Sequence, residues 1–181
     1  MTGCQLGQRP ILGPEPTEVG DAATELVLVE LETDEADAYT ASYDIIPTRG
    51  ETTTATVTWE GENTGRVTIG STEYVMDESG SQTCNNETLE CHPGLDAQPI
   101  SNLAIAPEFY GPSAAARLRR DASIRVGPTT GSEEQIAGQS AGCVAVPIED
   151  TASVFCALPG GPLARWRTTD VTIELTSYER G

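Results

Sequence analysis

Two stretches of the chain alternate apolar and polar residues, and this period-2 pattern predicts β-strands. In the first stretch the apolar positions would share one face of a sheet: Tyr39, Ala41, Tyr43, Ile45, Ala55, Val57 and Trp59. Two shorter strands are predicted at 66–69 and 72–76. Because consecutive strands joined by short polar turns usually pair with their neighbours, we expect an antiparallel meander over 38–76.

Strands resume in the last third of the chain, after an irregular segment. The pattern predicts five of them, at 133–136, 142–148, 152–158, 163–168 and 171–178. Within the irregular segment, 84–91 is predicted as a polar loop. Two short helical pieces are expected after that loop, one over 101–109 and one that begins near Pro112, a residue suited to a first helical turn.

One C-terminal hairpin has a register that follows from the sequence. If the chain turns at Glu149-Asp150, the numbers of opposing residues sum to a constant, so Cys143 opposes Cys156. Counting outward from the turn puts this pair and Pro147 at non-hydrogen-bonded positions. At such a position Pro147 loses no hydrogen bond between the strands. The Cα atoms of a non-hydrogen-bonded pair are also closer than those of a hydrogen-bonded pair, which suits a disulfide. The register therefore predicts a disulfide between Cys143 and Cys156.

Both faces of this hairpin are apolar. Val144, Val146 and Phe155 lie on one face, and Ala145, Ala152 and Val154 lie on the other with the disulfide. A simple exposed meander would keep one face polar. We therefore expect a further element, or a ligand, to cover the second face.

The five cysteines form two close pairs and leave one over. Cys84 and Cys91 are near in sequence, which predicts a second local disulfide. Zinc is a poor alternative, because neither pair has Cys-x-x-Cys spacing and His92 is the single histidine. No metal site and no cofactor are predicted.

The unpaired Cys4 follows Thr2-Gly3 and resembles the end of a bacterial lipobox, in which a small residue precedes the lipidated cysteine. The alternative is a chance match in a cytosolic protein. On the lipobox interpretation the protein is extracytoplasmic and anchored to the cell membrane through Cys4. The charged and apolar segment of a signal sequence is not part of the printed sequence, so we expect the precursor to begin upstream.

Residues 1–20 contain several prolines and glycines without an amphipathic period, and they are predicted to form a flexible tether. Residues 21–181 are predicted to form a single domain, since about 160 residues suffice for one ordinary core. Asp21 suits the N-cap of a helix that ends at Glu32. The run 26–29 in that segment also fits a strand.

The chain has 28 acidic and 10 basic residues, a formal net charge of -18. Such a charge repels phosphate backbones and anionic lipid head groups, so nucleic acid is excluded as an expected partner. No apolar run approaches the ~20 residues that a membrane span requires, and membrane contact is expected only through the lipid.

The sequence gives little support to catalysis. Gly138 to Gly142 matches the G-x-S-x-G motif of serine hydrolases, but that motif needs a following helix and a later histidine. A strand is predicted after Ser140, and no histidine follows it. We therefore predict that the protein is not an enzyme.

The order of helix, strand meander, irregular helical middle and second strand set, with the lipobox-like cysteine, resembles the LolA/LolB-like fold and its LprG/LppX-type actinobacterial lipoprotein relatives. The segment from Gln135 through Cys143, then Cys156 and Gly160 to Leu163, resembles uncharacterised secreted members. The resemblance implies an α+β fold, a curved antiparallel half-barrel packed on short helices. A β-sandwich is the alternative.

The resemblance also implies that the protein binds or carries an apolar or lipid-like ligand without catalysis. Candidate liners of the ligand site are Tyr39, Tyr43, Val57, Trp59, Val144, Val146, Phe155 and Trp166. Ordinary core packing is the competing role for each of these side chains. The alternative function is an envelope protein-interaction or sensor module that has no small-molecule ligand and a protein partner of unknown identity.

Overall fold

A computed structural model describes residues 21–33, 38–61 and 64–181. Cys4 and the predicted tether 1–20 lie outside these residues. The helices are α1 (Ala22–Leu31), a 3₁₀ helix (Gln98–Leu103) and α2 (Pro112–Ser123). The strands are β1 (Tyr39–Pro47), β2 (Thr53–Gly61), β3 (Thr64–Ile69), β4 (Thr72–Asp77), β5 (Gly80–Asn85), β6 (Cys91–Pro93), β7 (Thr130–Ile136), β8 (Gln139–Ile148), β9 (Thr151–Ala157), β10 (Leu163–Arg167) and β11 (Val171–Arg180).

All the strands belong to one 11-stranded antiparallel sheet in the order β6-β5-β4-β3-β2-β1-β11-β10-β9-β8-β7. The two predicted strand sets are therefore the two halves of one sheet. They are joined where β1 pairs with β11, for example through Ile45 opposite Ile173. The sheet is curved around the helices as the half-barrel prediction requires, and the β-sandwich alternative is wrong.

One face of the sheet carries the core. A row of paired apolar residues crosses β1 and four strands of the C-terminal half: Ile45, Ile173, Trp166, Phe155 and Val144. All five are buried. The row ends on β7 at Gly131, where a Cβ atom would lie 3.0 Å from the Cβ of Ala23 on α1. Because α1 packs on this row, the helices lie on the same face as the core.

Helix α1 begins at the predicted cap. The Asp21 carboxylate accepts a hydrogen bond from the backbone N–H of Ala23 at 3.2 Å and one from the Thr24 hydroxyl at 3.0 Å. It also accepts one from Thr129, next to β7. The helix interpretation of this segment is confirmed, and the cap also links α1 to the sheet. No helix in 21–33, 38–61 or 64–181 is both long and apolar enough to span a bilayer.

The middle segment differs from its prediction in two places. The 3₁₀ helix ends at Leu103, and Ala104 follows in the left-handed region at φ 58°, so the helix predicted over 101–109 is wrong beyond Leu103. Pro107 lacks the N–H that would bond to the Leu103 carbonyl four residues earlier, so a helix cannot continue regularly from Leu103 through it. Leu103, Ile105 and Leu118 of this middle segment are buried.

The predicted loop 84–91 is instead the turn of a hairpin. Strands β5 and β6 flank it, and Cys84 opposes Cys91 in their register. No strand was predicted over Gly80–Asn85, because that segment is mostly polar and has no period-2 apolar pattern. The disulfide between Cys84 and Cys91 closes this hairpin at one edge of the sheet.

The hairpin of β8 and β9 has the register derived from the sequence, with Pro147 opposite Ala152 and Cys143 opposite Cys156. The two cysteines form a disulfide with a Cα–Cα distance of 4.0 Å. Arg165 of β10 lies beside the disulfide, opposite Cys156. It donates hydrogen bonds to Glu134 and Glu174, which keep its charge paired.

Candidate ligand-binding site

A cavity of about 440 Å³ opens between the C-terminal end of α1, the N-terminal end of α2 and strands β1 and β2. Three aromatic side chains line it: Tyr39 from β1, Trp59 from β2, and Tyr110 from the turn before α2. We call it the aromatic cavity. Smaller apolar residues complete its wall, among them Leu31, Pro112, Ala116 and Pro162.

The position of Trp59 depends on the glycine opposite it. Trp59 pairs with Gly65 of β3, and a Cβ atom at that glycine would lie 2.5 Å from Cε3 of the indole. Real carbon contacts need about 3.5–4.0 Å, so only glycine leaves space for the ring. The indole thereby lies across β3, with its centroid 6.4 Å from that of Tyr110.

The aromatic rings around this cavity pack in two groups. The rings of Tyr39 and Tyr178 are 5.7 Å apart, and Tyr43 meets Phe109 edge to face at 5.1 Å. Phe109 in turn contacts Tyr110 edge to face at 6.1 Å. Aromatic pairs at these separations add stability beyond their buried area. The aromatic wall is therefore supported from behind by packed rings.

Burial keeps these phenols neutral. It raises the pKa of Tyr39, and the nearby Tyr110 and Tyr178 raise it further. Burial and Glu108 raise the pKa of Tyr110 to about 12. The pKa of Tyr43 is also raised by burial, and its hydroxyl has no hydrogen-bond partner among the described residues. The cavity is thus apolar, with neutral hydroxyl groups in and behind its wall.

The rim of the aromatic cavity is polar. Arg119 of α2 donates from Nε to Oε1 of Glu32 at 3.0 Å, which closes a charged bridge between the two helices. Glu30 accepts a hydrogen bond from the backbone N–H of Gly160. An apolar interior with a charged rim can hold the apolar part of a ligand while a polar end stays near water.

A second cavity, of about 500 Å³, lies beside α2 and is bounded by Ile105, Trp166 and three arginines of that helix. We call it the arginine cavity. A third, of about 460 Å³, lies between α1 and strands β7 to β9. Gly131 and Gly142 form part of its floor, and Leu26 of α1 forms part of its wall.

The predicted liners fall into two groups. Tyr39 and Trp59 line the aromatic cavity, and Trp166 lines the arginine cavity. The remaining candidates are fully buried in the packed core: Tyr43, Val57, Val144, Val146 and Phe155. All eight share the helix-facing side of the sheet, but the curvature brings only three of them to a cavity.

The sequence interpretation missed the cavity residues that come from helices and turns, chiefly Tyr110, Leu31 and Pro162. Period-2 alternation identifies strand residues and gives no signal in these segments. An aromatic pair directly before a helix, as at Phe109-Tyr110, is the one signal that could have identified this wall.

The fold does not bring Ser140 of the G-x-S-x-G motif together with His92, as a serine hydrolase site would require. Ser140 lies on β8, one strand from an edge of the sheet, whereas His92 lies on β6 at the opposite edge. A nucleophile and its base need to be within hydrogen-bond reach. These two residues are separated by most of the width of the sheet.

No protein-family model and no curated protein matches the sequence. Solved structures do match. An uncharacterized conserved protein from Thermus thermophilus is similar with a TM-score of 0.51 and 14% identity, over 88% of each chain. MucB is similar with a TM-score of 0.51 and 16% identity over 90% of this chain, which spans 60% of MucB. NE2245, a LolA superfamily protein from Nitrosomonas europaea, matches with a TM-score of 0.43 and 9% identity, over 87% of this chain and 93% of its own.

This chain is therefore similar in fold to the Thermus thermophilus protein and to MucB, and a LolA superfamily protein is among the structures it matches. The sequence identities are low, so these similarities concern the fold alone. What the site binds has to be argued from its own residues.

Proposed function

We propose that this protein is an extracytoplasmic lipoprotein that holds an apolar or lipid-like ligand and does no catalysis. In this proposal, lipid on Cys4 anchors the chain to the cell membrane, 1–20 form the tether, and 21–181 form one ligand-binding domain. The observation that carries the proposal is the aromatic cavity, where Tyr39, Trp59 and Tyr110 surround space that no side chain of the described residues fills.

The size of the aromatic cavity limits the ligand. Its volume of about 440 Å³ lies within the ~300–1,000 Å³ of small-molecule sites. Single-chain or otherwise small apolar molecules fit this range, whereas a ligand with several long acyl chains would need more space. We therefore expect one ligand of modest size per protein.

Native mass spectrometry of the protein purified from its own host tests the proposal directly. We expect a bound species that organic extraction removes, with a mass typical of an apolar or amphiphilic small molecule. A preparation that carries no such molecule and also fails to bind a fluorescent apolar probe, 1-N-phenylnaphthylamine, would contradict the proposal.

Site-directed variants locate the binding. Trp59→Ala removes a wall of the aromatic cavity and should weaken probe binding. Leu89→Ala is the matched control, since Leu89 is 82% exposed in the turn between β5 and β6. If both variants bind the probe like the unmodified protein, the ligand site lies elsewhere.

The anchor is tested separately. When the chain is expressed behind a lipoprotein signal sequence, the protein should fractionate with membranes and incorporate a labelled fatty acid. Cys4→Ala should abolish both properties without changing probe binding. Incorporation of label into the Cys4→Ala variant would show that Cys4 is not the lipidated residue.

A protein-interaction module is the second candidate, and one observation favours it. Helix α1 exposes Leu26 and Val29, at 70% and 61%, and their spacing of three residues puts them on one side of the helix. Exposed apolar side chains on one helix face are typical of contact sites. An empty cavity, together with a partner lost on Leu26→Ser and Val29→Ser substitution, would favour this function.

A further inference from the structure

The arginine cavity has an unusual charge for this chain. The protein carries a net charge of -18, yet none of the residues that line this cavity is acidic. Arg117, Arg119 and Arg120 line it, together with the hydroxyl residues Ser113 and Ser123. The cavity therefore offers hydrogen-bond donors and positive charge on an otherwise acidic protein.

The three guanidinium groups differ in how far they are neutralised. Arg117 donates from Nε to Oδ1 of Asp121 at 3.0 Å, and Arg119 is paired with Glu32. Arg120 is exposed and has no ion pair among the described residues. An arginine has five N–H donors, so Arg117 keeps donors free beyond its bond to Asp121. The cavity thus retains about one uncompensated positive charge and several donors.

The arginine cavity and the aromatic cavity share part of their walls. Ala116 and Arg119 of α2 line both of them. The arginine cavity also has an apolar side, formed by Ile105 and Trp166. The two cavities therefore adjoin along α2, and a single ligand would occupy both by crossing Ala116 and Arg119.

We propose that the arginine cavity binds the anionic head group, carboxylate or phosphate, of a single-chain amphiphile whose apolar chain occupies the aromatic cavity. Guanidinium groups bind both anions through paired N–H···O bonds. This inference rests on the proposed function, because it extends the same ligand out of the aromatic cavity. The recessed shape and the apolar side formed by Ile105 and Trp166 distinguish the site from a flat basic patch for an acidic peptide.

The experiment compares ligands that differ only in the head group. Dodecanoate, dodecyl phosphate and 1-dodecanol are titrated at pH 8, below the concentrations at which they self-associate, against protein loaded with 1-N-phenylnaphthylamine. We expect the two anions to bind at least about fivefold more tightly than the alcohol, as for a charge-assisted hydrogen bond. Added NaCl should reduce this preference.

Two arginine variants test the residues. Arg120→Gln should remove most of the preference for the anions and leave dodecanol binding unchanged. Arg49→Gln changes the net charge equally at an exposed turn away from both cavities, and it should keep the preference. Circular dichroism of both variants checks that they are folded.

The outcomes separate this inference from the proposed function. If dodecanol binds but neither anion is preferred, or if Arg120→Gln keeps the preference, the inference is overturned and the apolar site stands. If none of the three ligands binds, the proposed function fails as well. Binding of a short polyglutamate peptide that Arg120→Gln abolishes, without any preference among the amphiphiles, would identify a protein-contact surface and overturn the inference.

Discussion

Replacing Gly65 by alanine perturbs the aromatic cavity without removing any of its side chains. The new Cβ would lie 2.5 Å from Cε3 and 2.9 Å from Cζ3 of Trp59. Carbon atoms in contact need about 3.5–4.0 Å, so the indole must move by roughly 1 Å or more. The ring then no longer faces Tyr110 at its present 6.4 Å, and the cavity wall changes shape.

The size of the effect follows from two opposing terms. Gly→Ala at a compatible position stabilises a protein by about 0.4–1 kcal/mol through the unfolded chain. Overpacking costs about 1–3 kcal/mol. Gly142→Ala is the matched control, because it lies in a strand of the same sheet and its Cβ would meet nothing within 4 Å. Gly65→Ala should therefore unfold several degrees below Gly142→Ala, at about 2–4 °C for each kcal/mol.

The assay combines thermal unfolding with probe binding and tryptophan fluorescence. A Trp166→Phe background leaves Trp59 as the single tryptophan, since the chain has two. We expect Gly65→Ala to shift the Trp59 emission and weaken probe binding about fivefold for each kcal/mol of lost contact. Equal melting temperatures, emission and affinity in Gly65→Ala and Gly142→Ala would refute the reasoning.

Three further predictions concern the rest of the fold. Dithiothreitol should reduce Cys84–Cys91 before Cys143–Cys156, because Cys91 is exposed while Cys143 and Cys156 are both buried. Alkylation of the released thiols, followed by peptide mapping, gives the order in which the two disulfides are reduced. Replacing Cys143 and Cys156 by alanine should cost about 3 kcal/mol by loop entropy, measured by urea unfolding. Burial raises the pKa values of Tyr74 and Tyr110 to about 12, above the ~10 of a tyrosine in an unfolded chain. The folded protein should therefore keep its full stability below pH 10 and lose stability as the pH rises through 12. Phenolate absorbance should appear as the protein unfolds. Ionisation of all tyrosines near pH 10 in folded protein would contradict this last prediction.

Local pattern determined much of the secondary structure. The strand positions of β1 to β4 and β11 follow from period-2 alternation, because half-buried strands need an apolar residue at every second position. Asp21 fixed the start of α1 through its side-chain hydrogen bond to Ala23. The register of Cys143 and Cys156 followed from the turn at Glu149-Asp150, since opposing residues in a tight hairpin are set by counting.

Period-2 alternation could not predict the polar hairpin of β5 and β6 at the edge of the sheet. Strand β5 has the sequence Gly-Ser-Gln-Thr-Cys-Asn, in which alternation of apolar residues is absent. It is a strand because β4 offers a free edge and the disulfide Cys84–Cys91 holds β6 beside it. Pairing of backbone groups, which needs no apolar side chain, decided its structure.

Only the tertiary structure decided where the cavities are. Tyr39 and Tyr43 occupy equivalent positions in the same alternating pattern, yet Tyr39 lines the aromatic cavity while Tyr43 packs against Phe109 in the core. The difference arises because α1, α2 and the turn at Tyr110 cover one part of the sheet closely and leave space over another. The sequence by itself specified which residues face the core, and the long-range packing of helices against the sheet decided which of them remain free to contact a ligand.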